Sequence, residues 1–238
     1  MTRETRKSNE LRNVQIIPDF NLYAEGSCLI KVGNTHVLCT ASVEDCVPAW
    51  LKGQNKGWVT AEYALLPRST QTRVLRETKG VTGRTQEIQR LIGRSLRAVV
   101  DLEQMPEICI HVDCDVLQAD GGTRTASITG GFVALNLALR KLVQNATLKR
   151  SPIKEFVAAV SCGICGGEPM LDLDYAEDSH ADADTNFVLT ESGRIVDIQA
   201  TAEGATFDEA EFNQLFGLAK SGIHQLIMEQ KRVLKVTD

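Results

Sequence analysis

The chain has 238 residues, of which 43% are hydrophobic and 24% charged, the composition of a globular protein that can bury a sizeable core. No apolar run approaches the ~20 residues needed to span a bilayer, and the start of the chain lacks the apolar core of a signal peptide, so we expect a cytoplasmic protein without membrane contact. Seven cysteines, an odd number spread through apolar segments, indicate reduced thiols rather than a disulfide framework.

The net charge of −5 does not favour nucleic acid, but the distribution of charge does. Residues 68–97 include eight basic side chains against two acidic ones. Residues 172–184 include six acidic side chains, and no Lys or Arg lies between Lys154 and Arg194. One basic and one acidic segment suit an enzyme that draws in a polyanion and handles it over a metal.

Two stretches have the pattern of a β-hairpin. Residues 26–43 are β-rich on both sides of Gly33-Asn34, and residues 186–201 show strand, glycine-containing turn and strand again. An amphipathic helix is predicted downstream of each. The repeat indicates an α/β (α+β) fold of two duplicated βα halves that share one core, with mixed sheets packed on central helices.

A polar loop is predicted between the first hairpin and the first helix. It spans residues 67–80 and has no apolar period. Three arginines among small hydroxyl residues make good phosphate contacts, and a mobile loop can order on an RNA strand. We therefore expect RNA contacts from Arg68, Arg73 and Arg76, against the alternative of a solvated surface loop.

The first helix is predicted to open at Gly83-Arg84-Thr85 and to bury an i, i+3, i+4 stripe. A guanidinium at the free N–H groups of a helix start makes Arg84 an anion-binding candidate. The stripe consists of Ile88, Leu91, Ile92, Leu96, Val99 and Val100.

A second anion site is predicted where an alternating strand at 108–116 runs through Gly121-Gly122 into a nearly all-apolar helix. Glycines let the backbone approach an anion, and the helix start offers N–H donors. Thr123 or Thr125 adds a hydroxyl and Arg124 a bidentate fork. The motif is neither a P-loop nor a dinucleotide fingerprint, so a bound nucleoside triphosphate or NAD is not implied.

The acidic segment is predicted to bind a divalent cation. If it is extended, Asp178, Asp182 and Asp184 lie on one face. Oxygen ligands favour Mg or Mn over zinc. The alternative is a solvated acidic loop, and His180 is the weaker candidate for a metal ligand.

Two further motifs have structural interpretations. Cys162 and Cys165 lie in an apolar run that predicts a buried strand, where a separation of three puts them on opposite faces as core residues. Residues Thr206 to Glu209 form a capping box at the start of the last amphipathic helix. No Ser or Cys has a recognisable catalytic partner. Two anion sites, a carboxylate metal site and a basic loop together indicate an enzyme that holds free phosphate against a nucleic-acid phosphodiester, so inorganic phosphate is the expected nucleophile.

Long uninterrupted motifs also resemble the bacterial ribonuclease PH family over essentially the whole chain. They are Val37-Leu-Cys-Thr-Ala-Ser, Gly57-Trp-Val-Thr-Ala-Glu-Tyr, Leu66-Pro-Arg-Ser-Thr, Gly83-Arg-Thr-Gln-Glu-Ile-Gln-Arg-Leu-Ile, Asp113-Cys-Asp-Val-Leu-Gln-Ala-Asp-Gly-Gly-Thr-Arg-Thr-Ala-Ser, Glu177-Asp-Ser and Thr201-Ala-Glu-Gly.

The resemblance implies the ribonuclease PH fold as a single domain over residues 1–238. It implies a phosphate-dependent 3′→5′ exoribonuclease that trims tRNA precursors, and by extension rRNA, to release nucleoside diphosphates, with the reverse nucleotidyltransferase activity. It also implies a homohexamer built as a trimer of dimers.

The resemblance further implies residue roles. Phosphate ligands fall on Arg84, Gly122, Thr123 and Arg124, with Ser127 assisting. Catalytic and metal-binding carboxylates fall on Asp178 and Asp184, with Asp182 as a secondary candidate. The loop that guides RNA falls on Arg68, Arg73 and Arg76.

Two other functions remain open at this point. A catalytically silent RNA-binding ring subunit is expected to have lost an aspartate or a phosphate arginine, and this chain has lost neither. A metal-dependent hydrolytic nuclease uses water as its nucleophile and leaves the Gly-Gly-Thr-Arg cradle unexplained.

Overall fold

The fold consists of two β-sheets on either side of a central helix. The structure, a computed structural model, describes residues 3, 6–202 and 206–236. The strands of the two sheets are β1 (Val14–Pro18), β2 (Gly26–Val32), β3 (Thr35–Glu44), β4 (Trp58–Leu65), β5 (Cys109–Gln118), β6 (Val157–Cys165), β7 (Glu168–Leu171), β8 (Ala183–Thr190) and β9 (Ile195–Ala202). The first sheet has the order β1-β2-β3-β5-β4, antiparallel except for the β4–β5 pair, and the second has the order β7-β6-β8-β9.

Four α-helices and two short 3-10 helices complete the described part of the chain. The α-helices are α1 (Gly83–Ala98), α2 (Thr123–Gln144), α3 (Tyr175–Asp178) and α4 (Glu209–Leu234), and the 3-10 helices are Ala49–Leu51 and Leu102–Gln104. The parallel β4–β5 pair needs a long crossover, which α1 provides.

Helix α2 lies between the sheets, and its sequence explains why. Fifteen of its residues are buried, because apolar or small side chains face both ways. Gly130 permits a close approach to the first sheet, since a Cβ there would lie 2.7 Å from Ile30 Cγ2 and 2.9 Å from Cys39 Sγ. By length and composition α2 also qualifies as a membrane span, but it is mostly buried in the molecule, as the core helix of a soluble protein is.

The predicted α/β architecture is confirmed. Both hairpins form, with Gly33-Asn34 as the first turn, and the stripe of α1 is buried together with Val99 and Val100 beyond its end. Cys162 faces the main core, whereas Cys165 packs with Met170 and Leu173 in a separate cluster.

The prediction for the cap of the last helix is wrong by two residues. Asp208, not Thr206, is the N-cap, and its carboxylate accepts from the Glu211 backbone while Glu211 reaches back. Asp is at least as good a cap as Thr, and the chain holds two overlapping boxes of which the second forms. Residues 203 and 204 of the motif that begins at Thr201 lie outside the described residues.

Candidate active site

One cavity of about 300 Å³ lies where the starts of α1 and α2 meet α3 and β8. The second half of the chain contributes its carboxylates through α3 and β8, and the first half contributes arginines through α1 and α2. All six predicted phosphate-binding and catalytic residues line this cavity, namely Arg84, Gly122, Thr123, Arg124, Asp178 and Asp184.

The glycine turn forms the floor of the cavity. Gly121 and Gly122 have φ values of +71° and +64°, left-handed conformations that favour glycine. A Cβ on Gly121 would lie 2.6 Å from the carbonyl carbon of Asp174, so the turn packs directly on the start of α3. Helix α2 begins at Thr123 and directs its free N–H groups to this end of the cavity.

Two hydroxyl groups beside the turn have different environments. Thr123 Oγ1 lies 2.8 Å from the hydroxyl of Tyr63, which also lines the cavity. Ser127, expected to assist, is fully buried and donates to the carbonyl of Thr123 at 2.8 Å. Ser127 therefore supports the first turn of α2 and does not line the cavity.

Arg124 is held by two residues from other elements. Its guanidinium donates to Gln199 Oε1 on β9 at 2.9 Å and to Glu87 Oε1 on α1 at 3.4 Å. Gln199 in turn donates to Glu87 at 2.9 Å. The network joins three elements and aims a partly buried cation at the cavity, where Arg84 adds a second one.

The two predicted catalytic carboxylates come from different elements, Asp178 from the end of α3 and Asp184 from β8. Desolvation and then the charge of Asp184 raise the pKa of Asp178, while Arg124 and Arg84 oppose the rise. Two crowded carboxylates provide oxygen ligands and excess negative charge, which fits one hard divalent cation completed by water and phosphate oxygens. Within the described part of the chain, no group of three His, Cys, Asp or Glu side chains could hold a metal by itself.

The prediction of one extended acidic face is wrong. Helix α3 interrupts the segment, because Asp174 and Glu177 form a capping box there. Asp182 turns away and accepts from the backbone of Gly166 at 2.9 Å. His180 lies outside the cavity lining, and its Nδ1 is 2.9 Å from the carbonyl of Ala176.

Part of the acidic segment is neutralised from a distant part of the chain. Arg12 binds Asp172 with two guanidinium nitrogens, at 2.6 and 3.0 Å, and Arg6 binds Glu177 at 3.0 Å. The absence of Lys and Arg around residues 172–184 suggested that these carboxylates lack compensating charge, and that interpretation is wrong. Their cationic partners come from the N-terminal arm, which is the segment before β1. Only Asp178 and Asp184 of the six acidic residues line the cavity.

The predicted RNA-binding arginines lie apart from this cavity. Arg68, Arg73 and Arg76 are exposed on the loop between β4 and α1. Arg76 lines a neighbouring cavity of about 800 Å³, which shares Tyr63 and Leu65 with the first. From the same loop, Thr70 reaches the first cavity, so the loop borders both.

Sequence reasoning missed several residues that line the first cavity. Asn186 could have been predicted, because on a strand it lies on the same face as Asp184, two residues earlier. Tyr63 lies in a quoted motif without an assigned role. Ser161 and Tyr175 reach the cavity only through the tertiary fold, and nothing local marks them. The missed residues are Tyr63, Leu65, Thr70, Ala119, Ser161, Tyr175, Ser179 and Asn186.

Comparison with known proteins finds relatives over the whole chain. Residues 10–141 match domain 1 of the 3′ exoribonuclease family, and residues 155–222 match domain 2. Ribonuclease PH of Methylocella silvestris is 58% identical over 233 residues, which are 97% of this chain and 98% of that protein. Ribonuclease PH of Neisseria meningitidis serogroup B is 56% identical over 234 residues, which are 98% of this chain and 97% of that protein.

Solved structures share the fold at low sequence identity. Rice Rrp46 superimposes with a TM-score of 0.79 at 17% identity and covers 97% of this chain and 98% of its own. A chain of the Archaeoglobus fulgidus exosome, solved with RNA bound to the active site, superimposes with a TM-score of 0.78 at 23% identity, over 94% of this chain and 90% of that one. At such identities the likeness establishes the fold alone.

Proposed function

The chain belongs to the 3′ exoribonuclease family of ribonuclease PH, and on that premise we propose that its 300 Å³ cavity holds inorganic phosphate against the last phosphodiester of an RNA strand. The protein is a phosphate-dependent 3′→5′ exoribonuclease and tRNA nucleotidyltransferase. The observation that carries the assignment of the site is the meeting, in one cavity, of two arginines and a glycine turn with two aspartates.

Phosphate binds through Arg84, Arg124, the N–H groups at Gly122 and Thr123, and the Thr123 hydroxyl. A phosphate oxygen attacks the phosphorus of the terminal linkage, and the bond from that phosphorus to the 3′ oxygen of the preceding nucleotide breaks. The departing nucleotide then carries two phosphates, and one of the two aspartates gives the leaving oxygen its proton. The arginines stabilise charge that develops on the phosphoryl oxygens.

Asp178 and Asp184 are the candidate ligands for Mg or Mn. Their all-oxygen donor set fits these ions, with inorganic phosphate and water as the remaining ligands. A bound divalent cation supplies charge neutralisation at the reacting phosphates.

The RNA strand reaches this site past the exposed loop of Arg68, Arg73 and Arg76, where cations meet backbone phosphates. Precursors of tRNA are the proposed substrates. The proposed assembly is a homohexamer built as a trimer of dimers in the cytoplasm. A ring is supported by the fold that the chain shares with a solved archaeal exosome core. Residues 1–238 act as a single domain, supported by one core cluster that draws on both sheets.

The products of the reaction test this function. Wild type is incubated with a 3′-extended tRNA and Mg, with and without phosphate, and the released nucleotides are identified. Nucleoside diphosphates are expected only when phosphate is present, and they are expected to disappear in Arg124→Ala and Asp184→Asn. Monophosphates released without phosphate would indicate hydrolysis, and no release by the folded protein would indicate a silent RNA-binding subunit.

A further inference from the structure

Three arginines of the N-terminal arm lie outside the cavity, yet their side chains are nearly buried. The exposed fractions are 5% for Arg3, 12% for Arg6 and 8% for Arg12. Burying a guanidinium is unfavourable unless it is paired and hydrogen-bonded, so these contacts are specific features of the fold. Their partners connect to both halves of the site.

Arg12 lies directly beneath the glycine turn. It binds Asp172 through two of its three guanidinium nitrogens and its backbone N–H, the last at 2.8 Å, and its third guanidinium nitrogen donates to the carbonyl of Asp120. Asp120 immediately precedes Gly121, and a Cβ on Gly122 would lie 3.0 Å from Arg12 Nη2. Arg12 therefore fixes the position of the glycine turn, which is the proposed phosphate cradle, relative to Asp172.

Arg6 holds the helix that carries Asp178. Its Nη2 donates to Glu177 Oε2 at 3.0 Å and to the carbonyl of Asp172 at 2.6 Å. The same Glu177 oxygen accepts from the Asp174 backbone at 3.0 Å and closes the capping box of α3. Arg3 also binds Glu177, with Nε at 2.5 Å from Oε1 and Nη2 at 2.9 Å from Oε2.

A helix of four residues cannot hold its own geometry, because isolated helices well under a dozen residues are marginal in water. The position of Asp178 therefore depends on what binds its neighbour Glu177. The planar guanidinium of arginine donates several hydrogen bonds in a fixed geometry and so orients its partner, whereas the ammonium group of lysine supplies a positive charge without that fixed geometry.

We propose that Arg6 and Arg12 are positioning residues, which together set the separation between Asp178 and the phosphate cradle. This inference rests on the proposed function of both elements. A misplacement of about 1 Å can reduce the rate about 10²-fold, so the arm controls turnover without touching substrate.

The test uses charge-preserving variants of the full chain. Arg6→Lys and Arg12→Lys keep the positive charge and lose the fork, and kcat and KM for phosphate are measured at saturating RNA and Mg. We expect kcat to fall at least about tenfold in each, within the range for displaced catalytic groups. For Arg6→Lys, KM for phosphate stays within about twofold, because the cradle keeps Arg12.

Arg140→Lys is the matched control. Arg140 is half-buried and donates through Nη1 to the carbonyl of Leu234 at 2.6 Å, away from the cavity, so its replacement by lysine removes a guanidinium contact without touching the site. Its kcat is expected to equal that of wild type. Circular dichroism at the assay temperature gives the folded fraction of every variant.

Wild-type kcat per folded molecule in Arg6→Lys and Arg12→Lys would overturn the inference, and so would a loss that matches the unfolded fraction. If a lysine variant does not fold, Glu177→Gln tests the same contact, because glutamine also closes a capping box, and the same drop in kcat is expected. Failure of wild type to form nucleoside diphosphates would instead refute the proposed function, so the two failures are distinguishable.

Discussion

In the proposed function, Arg124 serves two sets of partners with one side chain. Its guanidinium binds Gln199 and Glu87 in the structure, and phosphate is its proposed third partner. An arginine has five donors, so it can keep the neutral amide of Gln199 while it binds an anion. The carboxylate of Glu87 is different, because it repels incoming phosphate and competes for the same cation.

Removing this competing charge is predicted to tighten phosphate binding. Glu87→Gln keeps an acceptor for Arg124 and Gln199 but loses the negative charge. Because the pair is partly exposed, an effect of about 0.4–1 kcal/mol is expected, or a KM for phosphate about two- to fivefold lower. Steady-state kinetics with varied phosphate measure it.

Glu103→Gln is the control, since Glu103 pairs with Lys56 in an exposed salt bridge unrelated to the cavity. A higher KM for phosphate in Glu87→Gln would contradict the prediction, and it would mean that the carboxylate orients Arg124 more than it competes with phosphate.

Removal of Arg124 itself is predicted to have a much larger effect. Arg124→Ala deletes a cation that acts on developing charge, and losses of about 10²–10³-fold are typical for such donors. The ratio kcat/KM for phosphate is expected to fall by that factor, while RNA binding without phosphate changes little. Unchanged kinetics in Arg124→Ala would show that the Arg124 guanidinium does not bind phosphate or stabilise the developing charge.

Among the elements, the loop between β4 and α1 is the proposed RNA contact, and it lies apart from the proposed site of the chemistry. Its three arginines are exposed and do not line the first cavity, so they can contact a strand without contacting the phosphate nucleophile. In the second cavity, desolvation raises the pKa of Asp115, and Arg76 opposes the rise. Arg76 therefore faces a local acidic group.

Arg73→Ala is predicted to weaken RNA binding selectively. KM for RNA is expected to rise, KM for phosphate to stay at the wild-type value, and the slope of log affinity against log salt to fall by about 0.7–0.9 for one lost phosphate contact. Filter binding over a salt series measures the slope. A rise in KM for phosphate of similar size would contradict the separation of roles.

The short helix α3 connects its stability to pH through Glu177. Burial by itself would raise the pKa of Glu177, but hydrogen bonds from Arg3 and the Asp174 backbone, with the charges of Arg3 and Arg6, hold it below the ordinary 4.5. A lowered pKa in the folded state means that the stabilisation is fully present above about pH 4.5 and is lost as the pH falls through the folded value.

Glu177→Gln is therefore predicted to flatten the acid side of the stability curve. The free energy of unfolding of wild type should fall more steeply than that of the variant below about pH 4.5, and the two slopes should agree near neutral pH. Urea unfolding across a pH series gives both slopes. Parallel curves at acid pH would show that the arginine contacts do not lower this pKa in solution.

For the whole molecule, α2 is the element that ties the halves together. It packs on β2, β3 and β5 of the first sheet and on β6 of the second, and its N-terminus delivers Thr123 and Arg124 to the cavity. The site needs both halves, because the arginines come from one and the aspartates from the other. The packing of α2 therefore determines stability and site geometry together.

Gly130→Ala is predicted to destabilise the protein by about 1–3 kcal/mol, since the added methyl group would overlap Ile30 and Cys39. Gly217→Ala on α4 is the matched control. Apart from the adjacent residues and backbone of its own helix, no atom of the described residues lies within 4 Å of a Cβ there, and helix propensity predicts a gain of up to about 1 kcal/mol. Chemical unfolding compares both with wild type, and equal stability of Gly130→Ala would show that the helix shifts freely.

The features of the fold and the site that depend on neighbouring residues can be predicted from the sequence, whereas contacts between distant residues cannot. The Gly33-Asn34 turn and the Gly121-Gly122 cradle depend on neighbouring residues, and both are present. The capping box of α3 is also local, but the prediction of one extended face overlooked the pair Asp174 and Glu177. The contact between Arg12 and Asp172 joins residues 160 positions apart, so no local sequence pattern indicates it.

The central claim is that phosphate held by Arg84, Arg124 and the glycine turn is the nucleophile. Its most direct test is to supply radiolabelled inorganic phosphate with a 3′-extended tRNA and Mg, and to locate the label in the released nucleotide. The account predicts nucleoside diphosphates labelled only at the terminal phosphate, at a rate that follows the phosphate concentration and collapses in Arg124→Ala. Unlabelled nucleoside monophosphates, released at a rate independent of phosphate, would contradict it.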